Sequence, residues 1–346
     1  MYHQVLVNEE HRNLLRFLWF DNHDLDGDIV QYRMTVHLFG ARSSPSVANY
    51  ALKATADRFK DKTTEKAAEF IKEDFYVDDG LKSVATVEEA INLAKDSQMI
   101  CKRGGFHLHK FVANNAEVLK AMCPDEVAQS VKNLDLTKDK LPVERTFGME
   151  WCTETDTFNF NGKPIQRPST RRNVLSIVSS IFDPLGMISP FILTGKKVLQ
   201  TLCKQDLGWD DPIPETVIAK WENWLSQLPK LKDIKVERCY KPANMNVIDY
   251  ELHHFSDASE KGYGQCSYLR MTDANGQVHT RLVIAKSRVS PLKTFTIPRL
   301  ELTAALASVK SAQIRNHTLP EQWRYVSSSD NPADLCSRGM SVHDLD

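Results

Sequence analysis

Apolar residues along this chain recur with a strand period, then a helix period, then each again. The first stretch carries short apolar and aromatic clusters, "MYHQVLV", "LLRFLWF" and "VQYRMTV", which predict strands joined by polar loops. Helical spacing follows over 47–60 and again over 64–73. The hairpin-like "FYVDDG" comes next, then a helix with Thr86 as N-cap, Glu89 three residues on and a Gly-Gly stop. "FHLHKFVANN" reads as extended, and "VERTFGMEWCTETDTFNFNGKPI" as two short strands. From Pro168 the period becomes helical, with Val174, Ile177, Val178 and Ile181 on one face behind Ser169 or Thr170 as cap. "ISPFILTGKKVLQTLCKQDL" and "PETVIAKWENWLSQLP" predict two more helices. Strand patterning returns near Ile234, placing a domain boundary around Pro242. Beyond it "VIDYELHHFSDAS", "GYGQCSYLRM" and "TRLVIAKSRV" form a meander, followed by a helix with Pro298 near its start and a tail of one strand and one polar segment. The fold class is therefore mixed α/β, of the α+β kind.

Composition narrows this picture only a little. The 346 residues, 42% hydrophobic and 26% charged, suit a globular chain of roughly two or three domains. No stretch is apolar enough to span a membrane, and "MYHQVLVNEEHRN" lacks the shape of a secretory signal, so no membrane partner is expected. Seven singly scattered cysteines, with no C-x-x-C pair, point to a reducing compartment, cytoplasmic or nuclear. A net charge of −1 means that any grip on nucleic acid must be local. The best basic stretches are "RPSTRRN" and "TGKKVLQTLCK"; a solvated helix face is their bland alternative.

Two acidic sets are the candidate chemistry. Asp78 and Asp79 stand at the tip of the hairpin, where Asp-Gly between apolar runs signals a turn and where paired carboxylates could hold Mg²⁺. One hairpin does not make a two-metal site, which needs carboxylates from several elements around ions about 3.5–4 Å apart. The second set is Asp257 in a strand, Glu301 in the first turn of the last long helix and Asp334 in "NPAD". Ala304, Ala305 and Ser308 share nearly one face with Glu301, and such small residues would let the helix lie close to the sheet and carry Glu301 toward Asp257. Turn-forming aspartates and a helix-start glutamate explain the same residues without chemistry. "FDNHDLDGDIVQYR" imitates a calcium loop through Asn22, Asp24, Asp26 and Gly27, but the position of the bidentate glutamate is Arg33. His107 and His109 read as exposed, and His253 and His254 lack a metal-ligand partner at suitable spacing.

Ordered motifs then carry a resemblance over nearly the whole chain. "MYHQVLVNEEHRNLLRFLW", "LFGARSSPSVANYAL", "FYVDDG", "GGFHLHKFVANN", "RTFGMEW", "VLSIVSSIFDPLGMISP", "LGWDDPIPE", "FSDAS" with "IPRLELTAAL", and "WRYVSSSDNPADLCSRG" occur in that order. Together they resemble the Pol polyprotein of BEL/Pao-type LTR retrotransposons, the Pao retrotransposon family, over its reverse transcriptase and RNase H portions. The resemblance implies a palm fragment at 1–150, a mostly helical thumb and connection at 151–241, and an RNase H-like domain at 242–346. It implies Mg²⁺ as cofactor, with Asp78 and Asp79 ligating the polymerase ions and Asp257, Glu301 and Asp334 those of the nuclease. Tyr2 matches the aromatic that selects deoxyribose, Gly40, Ala41, Arg42, Ser43 and Ser44 the segment under the incoming nucleotide, and Phe147, Gly148 and Met149 the primer grip. The implied partners are an RNA template, a DNA primer and RNA–DNA hybrid; the oligomeric state is left open.

Departures from the family pattern shape the functional expectation. The first palm aspartate belongs a few residues before the position of Met1, and Tyr2 at a chain end is expected to fray. Between Glu301 and Asp334 the family's further aspartate, with its strand and helix, has no counterpart. The expectation is a Pol fragment ancestrally capable of nucleotidyl transfer and RNA-strand hydrolysis but catalytically incomplete. Two alternatives stand beside it. One is a co-opted non-catalytic nucleic-acid-binding or interaction protein gripping hybrid through Arg167, Arg171, Arg172, Lys196 and Lys197; the other is a chain whose open sheet edges prevent folding.

Overall fold

The computed structural model describes residues 1–132, 143–146, 149–162, 167–242, 244–293, 295–312 and 324–345. They divide into two compact units, Met1–Phe147 and Gly148–Asp346, each described by itself. Helices and antiparallel sheets mix in both, as the sequence pattern predicts.

The first unit opens with 3₁₀ turns at Tyr2–Gln4 and Glu9–Leu15 rather than the strand expected of "MYHQVLV". Among the described residues, the sheet contact of that stretch is a bridge between Leu6 and Val36. Asn8 explains the second turn: its side chain accepts from Glu10 N and caps a helical start. Strands β1 (Arg16–Phe20) and β2 (Ile29–Arg33) pair around the calcium-like loop, which is a polar turn, with Asp26 N and Gly27 N both bonded to Asp24. The core of this unit joins α1 (Ser44–Phe59), α2 (Glu65–Glu73) and α3 (Val87–Arg103) through Leu52, Ala56, Ala67, Ile71, Ile100 and Cys101. Alanines at the crossing points let the helices approach closely. The α3 cap is as predicted: Thr86 Oγ1 accepts from Glu89 N at 3.1 Å, and the helix stops at Gly104. "FHLHKFVANN" is irregular, with one bridge at Phe111; short helices α4 (Ala116–Lys120) and α5 (Gln129–Lys132) and strand β5 (Val143–Thr146) follow.

The second unit begins with strands β6 (Met149–Cys152) and β7 (Thr157–Asn159), and β8 (Lys235–Glu237) adds to β7. Three helices, α6 (Arg171–Ser180), α7 (Ser189–Lys204) and α8 (Glu215–Gln227), bury the predicted face of α6 against Phe191, Trp221 and Trp224. Thr170, not Ser169, is the α6 cap, accepting from Asn173 N at 3.3 Å. Strands β9 (Val247–Ala258), β10 (Gly262–Asp273) and β11 (Val278–Val289) form the meander, in spatial order β11-β10-β9. Helix α9 (Ile297–Ala312) follows. Where the sequence suggests a strand and a polar tail, the described residues 324–345 hold helix α10 (Asp334–Arg338) and a 3₁₀ turn. The end of the predicted α9 helix, His317 included, and most of "LPEQWRYV" lie outside the described residues.

The loop "FDPLG" locks the helices of this unit to its sheet. The Asp183 carboxylate accepts from Met187 N and Ile188 N, both at 2.9 Å, and so closes the start of α7. Leu185 O accepts from Ala285 N of β11 at 2.8 Å. Burial pushes the Asp183 carboxyl up to about 6, against the backbone N–H groups and the Lys196 charge that favour its ionised form. A carboxyl raised in this way stabilises the fold fully below its unfolded pKa near 4, and that contribution is lost as pH rises through about 6. Asp183→Asn removes the titration and leaves one backbone N–H without an acceptor. Wild type should therefore be the more stable of the two at pH 4, with the gap narrowing by on the order of 1–2 kcal/mol by pH 7 because the site is half-buried. Urea unfolding of both chains at the two pH values measures it; a gap that widens with pH would reverse the balance argued here.

Candidate functional site

The paired aspartates sit on a hairpin of minimal length. Strand β3 (Phe75–Tyr76) pairs with β4 (Asp79–Gly80), with Phe75 opposite Gly80 and Tyr76 opposite Asp79. The two loop residues are thus Val77 and Asp78, not the Asp-Gly pair that the sequence signal suggests. Gly80 is needed for space instead: a Cβ there would meet the Phe75 ring at 2.5 Å and the Phe70 ring at 2.8 Å. Val77 takes φ +60°, where a β-branched side chain is strained. Asp78 and Asp79 are both exposed. Partial burial and the neighbouring Asp78 charge raise the Asp79 pKa, while Lys110, itself at φ +63°, opposes that rise. Lys110 is a contributor to the site that the sequence reading did not single out.

The expected nucleotide segment is partly assembled. The Tyr2 ring meets Phe39, the chain neighbour of Gly40, edge-on at 4.9 Å. Gly40 has φ +83°, and Ser44 N bonds back to Ala41 O at 3.1 Å as α1 begins. Gly40, Arg42 and Ser43 are exposed, whereas Ser44 is buried with no hydrogen-bond partner for its Oγ. Of the expected primer grip, Met149 is buried in β6, and Phe147 and Gly148 lie outside the described residues.

The second acidic set is divided between the two faces of one sheet. Antiparallel partners share a face and successive residues alternate. Asp257 pairs with Gly264 and Phe255 with Cys266, and this face packs on Ala333 and Cys336 of the α10 segment. Ala258 pairs with Tyr263 on the other face, which packs on Leu300 and Ala304 of α9. The small residues of α9 do bring it close to the sheet: Ala304 and Ser308 are buried, and Ser308 Oγ reaches Gln265 Oε1 at 3.5 Å. Glu301 nevertheless belongs to the helix on one face and Asp257 points to the other; Glu301 is exposed. Asp257 and Asp334 are linked, but indirectly. Ser337 Oγ donates to Asp257 Oδ2 at 2.5 Å, while Arg338 Nε pairs with Asp334 Oδ1 at 2.8 Å. Ser337 and Arg338, one helix turn after Asp334, are the partners that sequence reading missed; their signal was the i+3 and i+4 spacing. Among the described residues no three His, Cys, Asp or Glu side chains are grouped to hold a metal ion. Among the described residues these carboxylates therefore do not gather into the converging set that a two-ion Mg²⁺ centre needs.

The basic candidates are largely engaged in holding the fold. Arg172 forms a two-pronged pair with Asp210, at 2.7 and 2.8 Å. Arg171 lies over the Trp209 ring at 4.3 Å and donates to Leu207 O. Lys197 donates to Arg338 O, and Arg167 to Ser176 Oγ at 3.2 Å. These bonds explain "LGWDDP": Trp209 and Asp210 receive the two arginines of α6. His107 and His109 are exposed, with rings stacked at 5.2 Å.

Residues 170–329 match the family model described as "Pao retrotransposon-like RNaseH-like domain". No curated protein matches the chain. Among solved structures it is similar to native prototype foamy virus protease-reverse transcriptase, at 14% identity and a TM-score of 0.23, over 89% of this chain and 34% of that one. The chain thus spans about a third of the length of that protein. No helix among the described residues is long and apolar enough to cross a membrane.

Proposed function

We propose, for a chain whose residues 170–329 match a Pao retrotransposon-like RNaseH-like domain, that it is a Pol-derived segment with incomplete catalytic centres. Its ancestral reactions are templated nucleotidyl transfer on an RNA template with a DNA primer, and hydrolysis of the RNA strand in RNA–DNA hybrid. It now handles nucleic acid without turning it over. One observation carries this reading: Asp257 and Glu301 belong to opposite sides of the β9–β11 sheet, with Asp257 bonded to Ser337 and Asp334 ion-paired with Arg338. In-line attack on a phosphate needs several carboxylates converging on one side of one cleft. The polymerase half is short in the same way, since Asp78 and Asp79 form a pair without a third acid grouped beside them among the described residues.

Support for residual nucleic-acid handling comes from the first unit. Tyr2, Phe39 and the exposed Gly40, Arg42 and Ser43 form a small aromatic and polar surface at the start of α1, where backbone N–H groups favour anions. With Arg171 and Arg172 already engaged, phosphate binding by α6 would have to compete with Asp210 and the Trp209 ring, so affinity for hybrid should be modest and fall with salt. The decisive assays are primer extension on an RNA template and release of labelled RNA from RNA–DNA hybrid, both with Mg²⁺. Neither should exceed the no-protein background. Extension lost in Asp78→Ala, or hydrolysis lost in Asp257→Asn, would overturn the proposal.

A further inference from the structure

The "GYGQC" stretch of β10 belongs to neither acidic set, yet it shapes the face that α10 covers. Successive strand residues alternate, so on that face β10 presents Gly262, Gly264 and then Cys266. The two glycines leave room for the α10 segment to lie on the strand. A Cβ at Gly262 would stand 2.6 Å from Ser337 O, and one at Gly264 would stand 2.6 Å from Cys336 Cβ. The segment is also pinned to β9 and its following turn on both sides of Cys336. Before it, Asn331 Nδ2 donates to Ser256 O at 3.0 Å, and Asn331 Oδ1 accepts from Ala333 N at 3.0 Å. After it, Ser337 Oγ donates to Asp257 Oδ2 at 2.5 Å, and Ser337 O accepts from Ser259 Oγ at 3.0 Å. Cys336 is thereby held against Cys266 in a small buried cluster with Ala285 and Ala333.

Both thiols are free and almost fully covered, Cys266 at 2% exposure and Cys336 at 3%. They hydrogen-bond one another, and the Ser189 and Ser287 hydroxyls, 3.2 Å apart, bond the Cys336 sulfur as well. A buried cysteine often serves only as a small apolar filler. Two sulfurs in direct contact on two pinned elements are a different case, because an S–S bond of about 2.0 Å then needs only a small approach of α10 to the strand. We infer that Cys266 and Cys336 form a redox latch, which a hydroperoxide closes into a disulfide and a thiol reductant reopens. One sulfur takes the terminal oxygen of the hydroperoxide as the O–O bond breaks, becoming a sulfenic acid and releasing water or an alcohol. The other sulfur attacks the first and displaces that oxygen, which leaves as water. With hydrogen peroxide, the two thiols lose two electrons and two protons, and one peroxide becomes two waters. Reopening is two successive thiol–disulfide exchanges with the reductant. Hydrogen peroxide is small enough to enter during brief local openings of a helix of five residues. When closed, the latch fixes α10, and with it Ser337, covalently to the Asp257 face of the sheet.

The test uses the full chain with the exposed Cys123 and Cys239 changed to Ser, which suppresses links between molecules. After hydrogen peroxide treatment and blocking of the remaining thiols, mass spectrometry of non-reduced peptides should show Cys266 joined to Cys336 as the main link. The linked chain should melt roughly 4–10 °C above the reduced one, since the bond closes a loop of about 70 residues. Dithiothreitol should return the melt to its starting point. Cys266→Ala should abolish both the link and the peroxide-induced rise, and Cys336→Ala repeats that control if the first variant misfolds. Thiols at 266 and 336 that stay free under peroxide would overturn the inference. So would a main link to any other cysteine, either sulfur ending as a sulfinic acid in place of the link, or a link that lowers the melting temperature.

Discussion

Trp224→Ala should cost the second unit roughly 3–5 kcal/mol, read as a lower urea midpoint with an unchanged slope. Trp224 is 1% exposed and lies between Phe191 and Trp221, with ring centroids at 5.0 and 5.2 Å and planes within 11° and 18° of parallel. Its Nε1 donates to Phe191 O at 3.1 Å. The ring also rests on α7 where Gly195 leaves room: a Cβ there would stand 2.7 Å from it. Truncation thus opens a large cavity, removes two stacked contacts and removes the indole hydrogen bond to a helix carbonyl. The ring is held from α7 and α8 together, so the site cannot collapse without moving both helices. Trp209 provides the comparison. It is 46% exposed and stacks on Arg171, and Trp209→Ala should cost about 1 kcal/mol. Equal losses for the two variants would contradict the core assignment.

Gly186→Ala should be nearly as severe, on the order of 3–5 kcal/mol, although it adds one methyl group. Gly186 has φ +76°, and its missing side chain faces the backbone of β11, where a Cβ would overlap Ala285 O. That backbone cannot give way, because Ala285 N is bonded to Leu185 O at 2.8 Å. Two costs add: the left-handed conformation, about 1–2 kcal/mol, and separation of the loop from the strand. Gly276, at φ +79° in the β10–β11 turn, has nothing within 4 Å of its would-be Cβ. Gly276→Ala should pay the conformational cost alone. Thermal melts of the two variants separate these contributions, and a Gly276 loss equal to that of Gly186 would remove the clamp from the explanation.

Much of this architecture was legible because local rules sufficed. The caps of α3 and α6, the single buried face of α6, the three-stranded meander and the closely packed small residues of α9 all follow from period and capping chemistry. Departures arose where a distant partner outweighed local preference. The Asp-Gly pair was displaced from the hairpin tip because two phenylalanine rings need the space beside Gly80. "MYHQVLV" became a 3₁₀ turn and a single bridge to Val36. The arginines of α6 look like a nucleic-acid surface until Trp209 and Asp210, some 38 positions along the chain, are found beneath them.

The acidic residues draw the boundary most clearly. Their identities, order and placement on a hairpin, a strand, a helix start and a late segment were determined by the sequence alone, through its motif pattern. Whether they share a site was decided only by the tertiary structure. The side a strand residue faces depends on parity against its partner, and the side a helix covers depends on how the chain crosses the sheet. Those two facts put Asp257 on the face of α10 and Ser337, and Glu301 on a helix across from it. No local preference encodes that relation, because it arises from packing between residues dozens of positions apart.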